Sequence, residues 1–186
     1  MDLLRFFDAP VDEVARGLVG ALFGHGETLG RIVEVEAYDR TDPASHSFSG
    51  ETPRNRAMFL GPGHLYVYRS YGLHWCVNLV ARPGAAILIR ALEPLDGLDL
   101  MEARRGGTRG LRLAAGPGNV AAALGISGQH DAEPLAPPFR LELAENAPDI
   151  LTGPRIGISK AADIPWRFGL SGSPFLSRPF PRARNA

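Results

Sequence analysis

From Asp12 to Phe23 the apolar residues Val14, Leu18, Val19 and Leu22 recur at a helical period, after Pro10 and ahead of Gly24. That spacing predicts a surface helix with one buried face. Between Gly30 and Tyr38 the pattern changes to alternation, with Val33, Val35 and Ala37 on one side and Glu34, Glu36 and Tyr38 on the other. A strand is expected there, with its three polar residues sharing a face. The stretch Asp39 to Pro53 is rich in Asp, Ser, Thr, Gly and Pro and reads as a long loop, a length more often functional than idle. Two strands follow, His64 to Arg69 and His74 to Val80, joined through Ser70-Tyr71-Gly72-Leu73 as a hairpin.

Further along, a strand is expected over Ala86–Ala91 and a helix over Leu95–Arg104. Gly116-Pro117-Gly118-Asn119 opens a short helix through Leu124, and short strands are expected over Phe139–Leu143 and Arg155–Ser159. No repeat or low-complexity tract interrupts the chain. The mixture predicts an α+β fold: a curved, mainly antiparallel sheet with helices around it and a protruding hairpin, formed by residues 1–186 as one domain.

No apolar run reaches the roughly 18 residues of a membrane span, and the N-terminus carries charges among its apolar residues. The chain is read as cytoplasmic. One cysteine, Cys76, excludes an internal disulfide, and the five histidines do not cluster with acids at a ligand spacing, so neither metal nor cofactor is implied. A formal net charge of zero argues at first against nucleic acid, but the average conceals a gradient. Residues 1–50 hold nine acids and four bases, and residues 51–120 hold five acids and nine bases. All bases but Lys160 are arginine, whose planar fork suits phosphate.

Tyr71 stands at the tip of a short turn, where its own hairpin cannot bury it. His64, Tyr66, Tyr68, His74, Trp75 and Asn78 lie close by in sequence, within the basic middle third. Aromatic rings beside hydrogen-bonding groups could form a pocket for a flat heterocycle, or they could be ordinary packing residues of strands. Glu36, at the end of an apolar strand and before a long loop, could be a general base or a solvated strand-end acid. Arg54 and Arg56 could contact phosphate or brace the loop. Gly118 and Asn119, at a helix start, could offer free N–H groups to a phosphate or form a plain capped turn.

These residues fall within blocks that resemble the alkyladenine or 3-methyladenine DNA glycosylases of the alkylpurine type. The blocks are Arg31-Ile-Val-Glu-Val-Glu36-Ala-Tyr38, Ala44-Ser-His46-Ser, Thr52-Pro-Arg54-Asn-Arg56-Ala-Met58-Phe59, Pro62-Gly63-His-Leu-Tyr66-Val-Tyr68, Tyr71-Gly72, Asn78 and Leu88-Ile-Arg90-Ala-Leu-Glu93-Pro94. The match resumes at Gly116-Pro117, Arg155-Ile-Gly and Arg167-Phe168, and so spans nearly the whole chain.

The resemblance implies a monofunctional glycosylase of base excision repair. Such an enzyme turns alkylated or deaminated purines out of duplex DNA and hydrolyses the N-glycosidic bond, leaving an abasic site. It assigns Glu36 as the base that activates water and Arg90 as the residue that helps hold it. Tyr38, His46 and Tyr68 would line the base pocket, Tyr71 would fill the gap left in the helix, and Asn78 would exclude guanine at the pocket floor. It further implies the α+β fold of the formyltransferase C-terminal-domain kind and a monomeric, compact, bacterial-type enzyme acting on damaged double-stranded DNA. With Lys160 and the N-terminus as the only amines, Schiff-base chemistry on the sugar is not expected.

Leu73-His74 departs from the Met-Tyr pair of a known family member, and Asn119 from a lysine. Two rivals carry different expectations. A non-catalytic nucleic-acid-binding module of the formyltransferase C-terminal type would have no use for an acid in a DNA-facing pocket. A small-molecule hydrolase using Glu36 and His46 would have no use for Tyr71.

Overall fold

The computed structural model describes residues 2–181. It opens with two short helices, α1 (Leu3–Phe7) and α2 (Val11–Leu18). In α2, Val11, Val14, Ala15 and Leu18 are buried at helical spacing, with Asp12 and Glu13 favourably placed in the first turn. The helix predicted to continue to Phe23 stops at Leu18, because Gly20 takes a left-handed φ of 88° and releases the chain into β1 (Leu22–His25). Leu22 and Phe23 therefore pair with Arg31 and Gly30 of β2 (Thr28–Tyr38) instead of completing a helical face. Neither α1 nor β1 is among the elements that the hydrophobic pattern predicts.

After β2 no helix or strand forms until a 3₁₀ turn at Arg56–Phe59, so the long loop is present as expected. The strands β3 (Leu65–Ser70) and β4 (His74–Val80) form the predicted hairpin around the Tyr71-Gly72-Leu73 turn. Strand β5 (Ala86–Asp96) outruns its expected end at Ala91. The helix α3 (Leu98–Arg104) starts correspondingly later, because Gly97, at φ 71°, lies so close to β2 that a Cβ would stand 2.5 Å from the Glu27 carbonyl. Helix α4 (Pro117–Leu124) begins and ends where expected, with Pro117 in its first turn and Gly125 as its left-handed C-cap.

Strand β6 (Phe139–Glu142) follows, and the expected strand at Arg155–Ser159 is absent. In its place β7 (Ile150–Gly153) and β8 (Arg167–Leu170) pair with each other, and β8 also pairs with Glu34, Val35 and Glu36 of β2. The segment around residue 156 is irregular instead: Gly157 takes a left-handed φ of 77°, and the Ile156 N–H donates to a side chain of β2.

Every pairing in the sheet is antiparallel, and the strands run β3-β4-β5-β2-β1-β6. Register shifts between β2 and β5 at Leu29/Gly30, Ile32/Glu34 and Glu34/Val35 bend the two long strands and curl the sheet. One face packs on α2 and α4 through Ile32, Val35, Ala37, Ile87 and Ile89. The first irregularities also disturb the simple alternation, since Val33 is buried but lies outside this core cluster while Ile32 lies within it. Glu34 and Glu36 remain off the core face, yet both are fully buried.

Candidate active site

The polar face of β2 meets the hairpin across β5. Asn78 pairs with Tyr66, Cys76 with Tyr68 and His74 with Ser70, so the two polar rows of β3 and β4 lie on one face, as the alternation implied. Tyr66 and Tyr68 stack with ring centroids 5.4 Å apart and an interplanar angle of 22°. His46 arrives from the long loop, set edge-on to Tyr68 at 4.6 Å, with Nδ1 2.9 Å from the Tyr66 hydroxyl. Together these residues line a cavity of about 500 Å³. That size suits a small flat ligand.

Of the residues predicted from sequence, the cavity wall gathers Glu36, Tyr38, His46, Arg54, Tyr68, Tyr71, Asn78 and Arg90. Arg56, Gly118 and Asn119 do not contribute to it. Arg56 is exposed on the 3₁₀ turn after Arg54. Gly118 instead packs so closely on His74 that a Cβ would lie 2.8 Å from that of the histidine, and Asn119 donates its side-chain N–H to the Ala115 carbonyl at 2.6 Å. Pro117, the first residue of α4, does reach the wall.

Glu36 is buried from solvent and held on three sides. Oε1 accepts the Ile156 N–H at 2.7 Å, Oε2 accepts the Tyr38 hydroxyl at 2.8 Å, and Arg90 Nη1 stands 3.3 Å from Oε2. Burial, together with the Glu36 charge, pushes the Tyr38 phenol well above its ordinary range, so Tyr38 stays a donor. Burial does the same to the Tyr66 and Tyr68 phenols, and it also raises the Cys76 thiol. The His46 imidazole is pushed down by burial and by the charge of Arg54, which keeps it neutral near pH 7. The His46 Nδ1–Tyr66 hydroxyl bond fixes the imidazole through one ring nitrogen and leaves Nε2 as the other polar atom of the ring.

The supporting residues were not legible as a site. Arg155 forms a forked, fully buried ion pair with Asp42 and donates to the Ala37 and Ala161 carbonyls. Its guanidinium lies 4.7 Å from the Tyr38 ring centroid. It thereby ties the Ile156 segment, the start of the long loop and Tyr38 together. Asn55 donates to the carbonyls of His46 and Gly50 and fixes the loop that carries His46. Asn78 donates to the Tyr66 carbonyl at 3.0 Å, which sets its amide orientation.

Tyr71 is 91% exposed at φ 48°, with Leu73 beside it 70% exposed. The protrusion expected of the hairpin tip is present. Exposed Arg54 and Arg69 stand in the same wall, so the mouth of the cavity combines a projecting ring with two cations. Among the described residues no group of His, Cys, Asp and Glu is arranged to hold a metal, and no helix is long and apolar enough to cross a membrane.

Comparison with known proteins bears on this geometry. Residues 5–174 match the model of the family described as methylpurine-DNA glycosylase. The chain is 57% identical over 176 residues to a protein of Agrobacterium fabrum named "Putative 3-methyladenine DNA glycosylase", covering 94% of this chain and 91% of that protein. A protein of the same name from Nitrosospira multiformis is 57% identical over 178 residues, covering 94% and 92% of the two chains. Another, from Rhizobium meliloti, is 53% identical over 176 residues, covering 94% and 95%.

Proposed function

The chain belongs to the methylpurine-DNA glycosylase family, and on that premise we propose that it turns damaged purines out of duplex DNA into the cavity beside Glu36, where water displaces them. It is a DNA glycosylase, a hydrolase of the bond between base and deoxyribose. The observation that carries the proposal is a buried carboxylate, Glu36, in the wall of a cavity whose wall also includes a projecting tyrosine, Tyr71.

Tyr71 inserts into the stack and offsets part of the few kcal/mol lost when the base leaves it. The everted purine stacks on Tyr38 and Tyr68, an interaction worth roughly 1–3 kcal/mol per base, and alkylation strengthens it by making the purine cationic. His46 hydrogen-bonds to the base edge, and Asn78 occupies the floor where the exocyclic amine of guanine would crowd it. A carboxylate offers about four acceptor sites. Hydrogen bonds from Ile156 and Tyr38 occupy one on each oxygen, and Arg90 stands at ion-pair distance beside Oε2, which leaves a site on Oε1 for the attacking water. Glu36 takes its proton as the glycosidic bond breaks, and an alkylated purine departs as a neutral base. Arg54 and Arg69 hold flanking phosphates at the mouth, and Arg56, Gly118 and Asn119 contact the duplex further out.

Lys160 is exposed and does not line the cavity. The other amine considered, that of Met1, lies outside the described residues. The exposed position of Lys160 supports hydrolysis without a lyase step, carried out by a monomeric enzyme, and borohydride is expected to trap no protein–DNA adduct.

The test is incubation with duplexes carrying 3-methyladenine, hypoxanthine or 1,N6-ethenoadenine, followed by alkali to cleave abasic sites. The native protein releases the lesion, and Glu36→Gln binds it but slows release by about a hundredfold or more. Tight binding without release by the native protein would instead identify a binding module.

A further inference from the structure

Two residues before Glu36 on β2, Glu34 is fully buried and does not reach the cavity. Its carboxylate nevertheless collects four donors. Oε1 accepts from Arg90 Nε at 2.9 Å, Arg167 Nε at 2.8 Å and the Ser177 hydroxyl at 2.7 Å, while Oε2 accepts the Ser177 N–H at 2.5 Å. Arg167 in turn donates to the carbonyls of Arg178 and Pro179 and lies over the Phe180 ring at 3.9 Å, which draws the C-terminal segment across Glu34.

Arg90 is thus divided between two carboxylates. Its Nε contact with Glu34 is short and fully buried, its Nη2 donates to the Ser177 hydroxyl at 3.4 Å, and only Nη1 bears on Glu36, at 3.3 Å. An unrestrained arginine would close on a carboxylate with two short parallel bonds of about 2.7–2.9 Å. Such a fork on Glu36 would occupy the acceptor sites that a water needs and weaken the carboxylate as a base. A buried charge cluster is also a costly way to fill a core, which apolar residues would do as well.

We propose that Glu34 is a positioning residue for the glycosylase reaction: by holding Arg90 through Nε it prevents a full Arg90–Glu36 fork and leaves Glu36 able to accept a proton from water. The proposal rests on the reading of Glu36 given above. The groups that bear on Glu36 are the Tyr38 hydroxyl on β2, Arg90 on β5, the Ile156 N–H and the Tyr68 hydroxyl on β3, with Arg155 behind Tyr38 and Cys76 of β4 near Arg90. Substitution at Glu34 leaves all of them in the protein.

The test measures single-turnover release of 3-methyladenine or hypoxanthine across pH 4–9 for the native protein, Glu34→Gln and the double variant E34Q/R167Q. The double variant removes one charge of each sign and keeps the buried cluster balanced, so it remains informative if the single variant does not fold. In both, Arg90 bears undivided on Glu36. Release at neutral pH slows by between about tenfold and a hundredfold, lesion binding persists, and the pH below which release declines moves lower. A folded variant whose rate is native, or whose acid limb stays in place or moves upward, overturns the proposal. If the native protein releases no lesion, it is the glycosylase reading that fails.

Discussion

Tyr38 donates its hydroxyl proton to Glu36 Oε2 across 2.8 Å, so a residue of the cavity wall also restrains the carboxylate beside it. The two residues alternate on one strand face, and the Arg155 guanidinium at 4.7 Å from the Tyr38 ring holds that ring in place. The same side chain therefore has two separable tasks, stacking through its ring and positioning through its hydroxyl.

Tyr38→Phe separates them. The ring remains and the donor is lost, so lesion binding is expected to persist while release slows by about tenfold, the scale of one hydrogen bond to a charged group. Losing a donor to the charged form of Glu36 also moves the acid limb of the pH–rate profile upward, opposite to the expectation for Glu34→Gln. A pH profile of single-turnover release for both variants checks the opposed directions.

Tyr71→Ala tests the wedge without disturbing the fold. At 91% exposure the side chain contributes little to stability, and unfolding free energy is expected to stay within about 0.5 kcal/mol of the native value. Affinity for a lesion duplex falls by about 1–3 kcal/mol, the scale of one stacking contact. Urea denaturation and a fluorescent base opposite the lesion report the two effects independently.

Asp42→Asn leaves the Arg155 guanidinium buried without its counter-charge. Loss of one partner of a buried pair is expected to cost about 3–5 kcal/mol, measurable as a lower urea midpoint. Arg155 precedes the residue whose N–H reaches Glu36, so release also slows under conditions where the variant is still folded. A variant of native stability would show that this pair does not brace the loop.

The Glu34 carboxyl links stability to acid. Burial opposes its charge, but Arg90, Arg167 and the Ser177 hydroxyl outweigh burial and hold it below its ordinary value of 4.5. A depressed folded value means that its contribution is complete above about pH 4.5 and disappears as pH falls through the lower folded value. Melting temperature should therefore drop on acidification below pH 4.5, and E34Q/R167Q should lose less over that interval. Calorimetry at stepped pH decides the matter.

Several elements were determined by the sequence alone. Alternation from Gly30 to Tyr38 put Glu34, Glu36 and Tyr38 on one side, and the Tyr71-Gly72 turn between two strand patterns defined the projecting hairpin. The order of unusual blocks indicated the family, and these signals are local because strand alternation and turn chemistry act over a few residues. Only the tertiary structure decided where α2 stops, how far β5 runs and that β8 pairs with β2, because Gly20, Gly97 and residues 167–169 answer to neighbours distant in sequence. The clamp around the site is of the same kind. Asp42 meets Arg155 across 113 residues, and Glu34 meets Arg90 and Arg167 across 56 and 133. A charge can be buried only where its counter-charge is brought to it, and that meeting is a property of the folded sheet, absent from any stretch of the chain read alone.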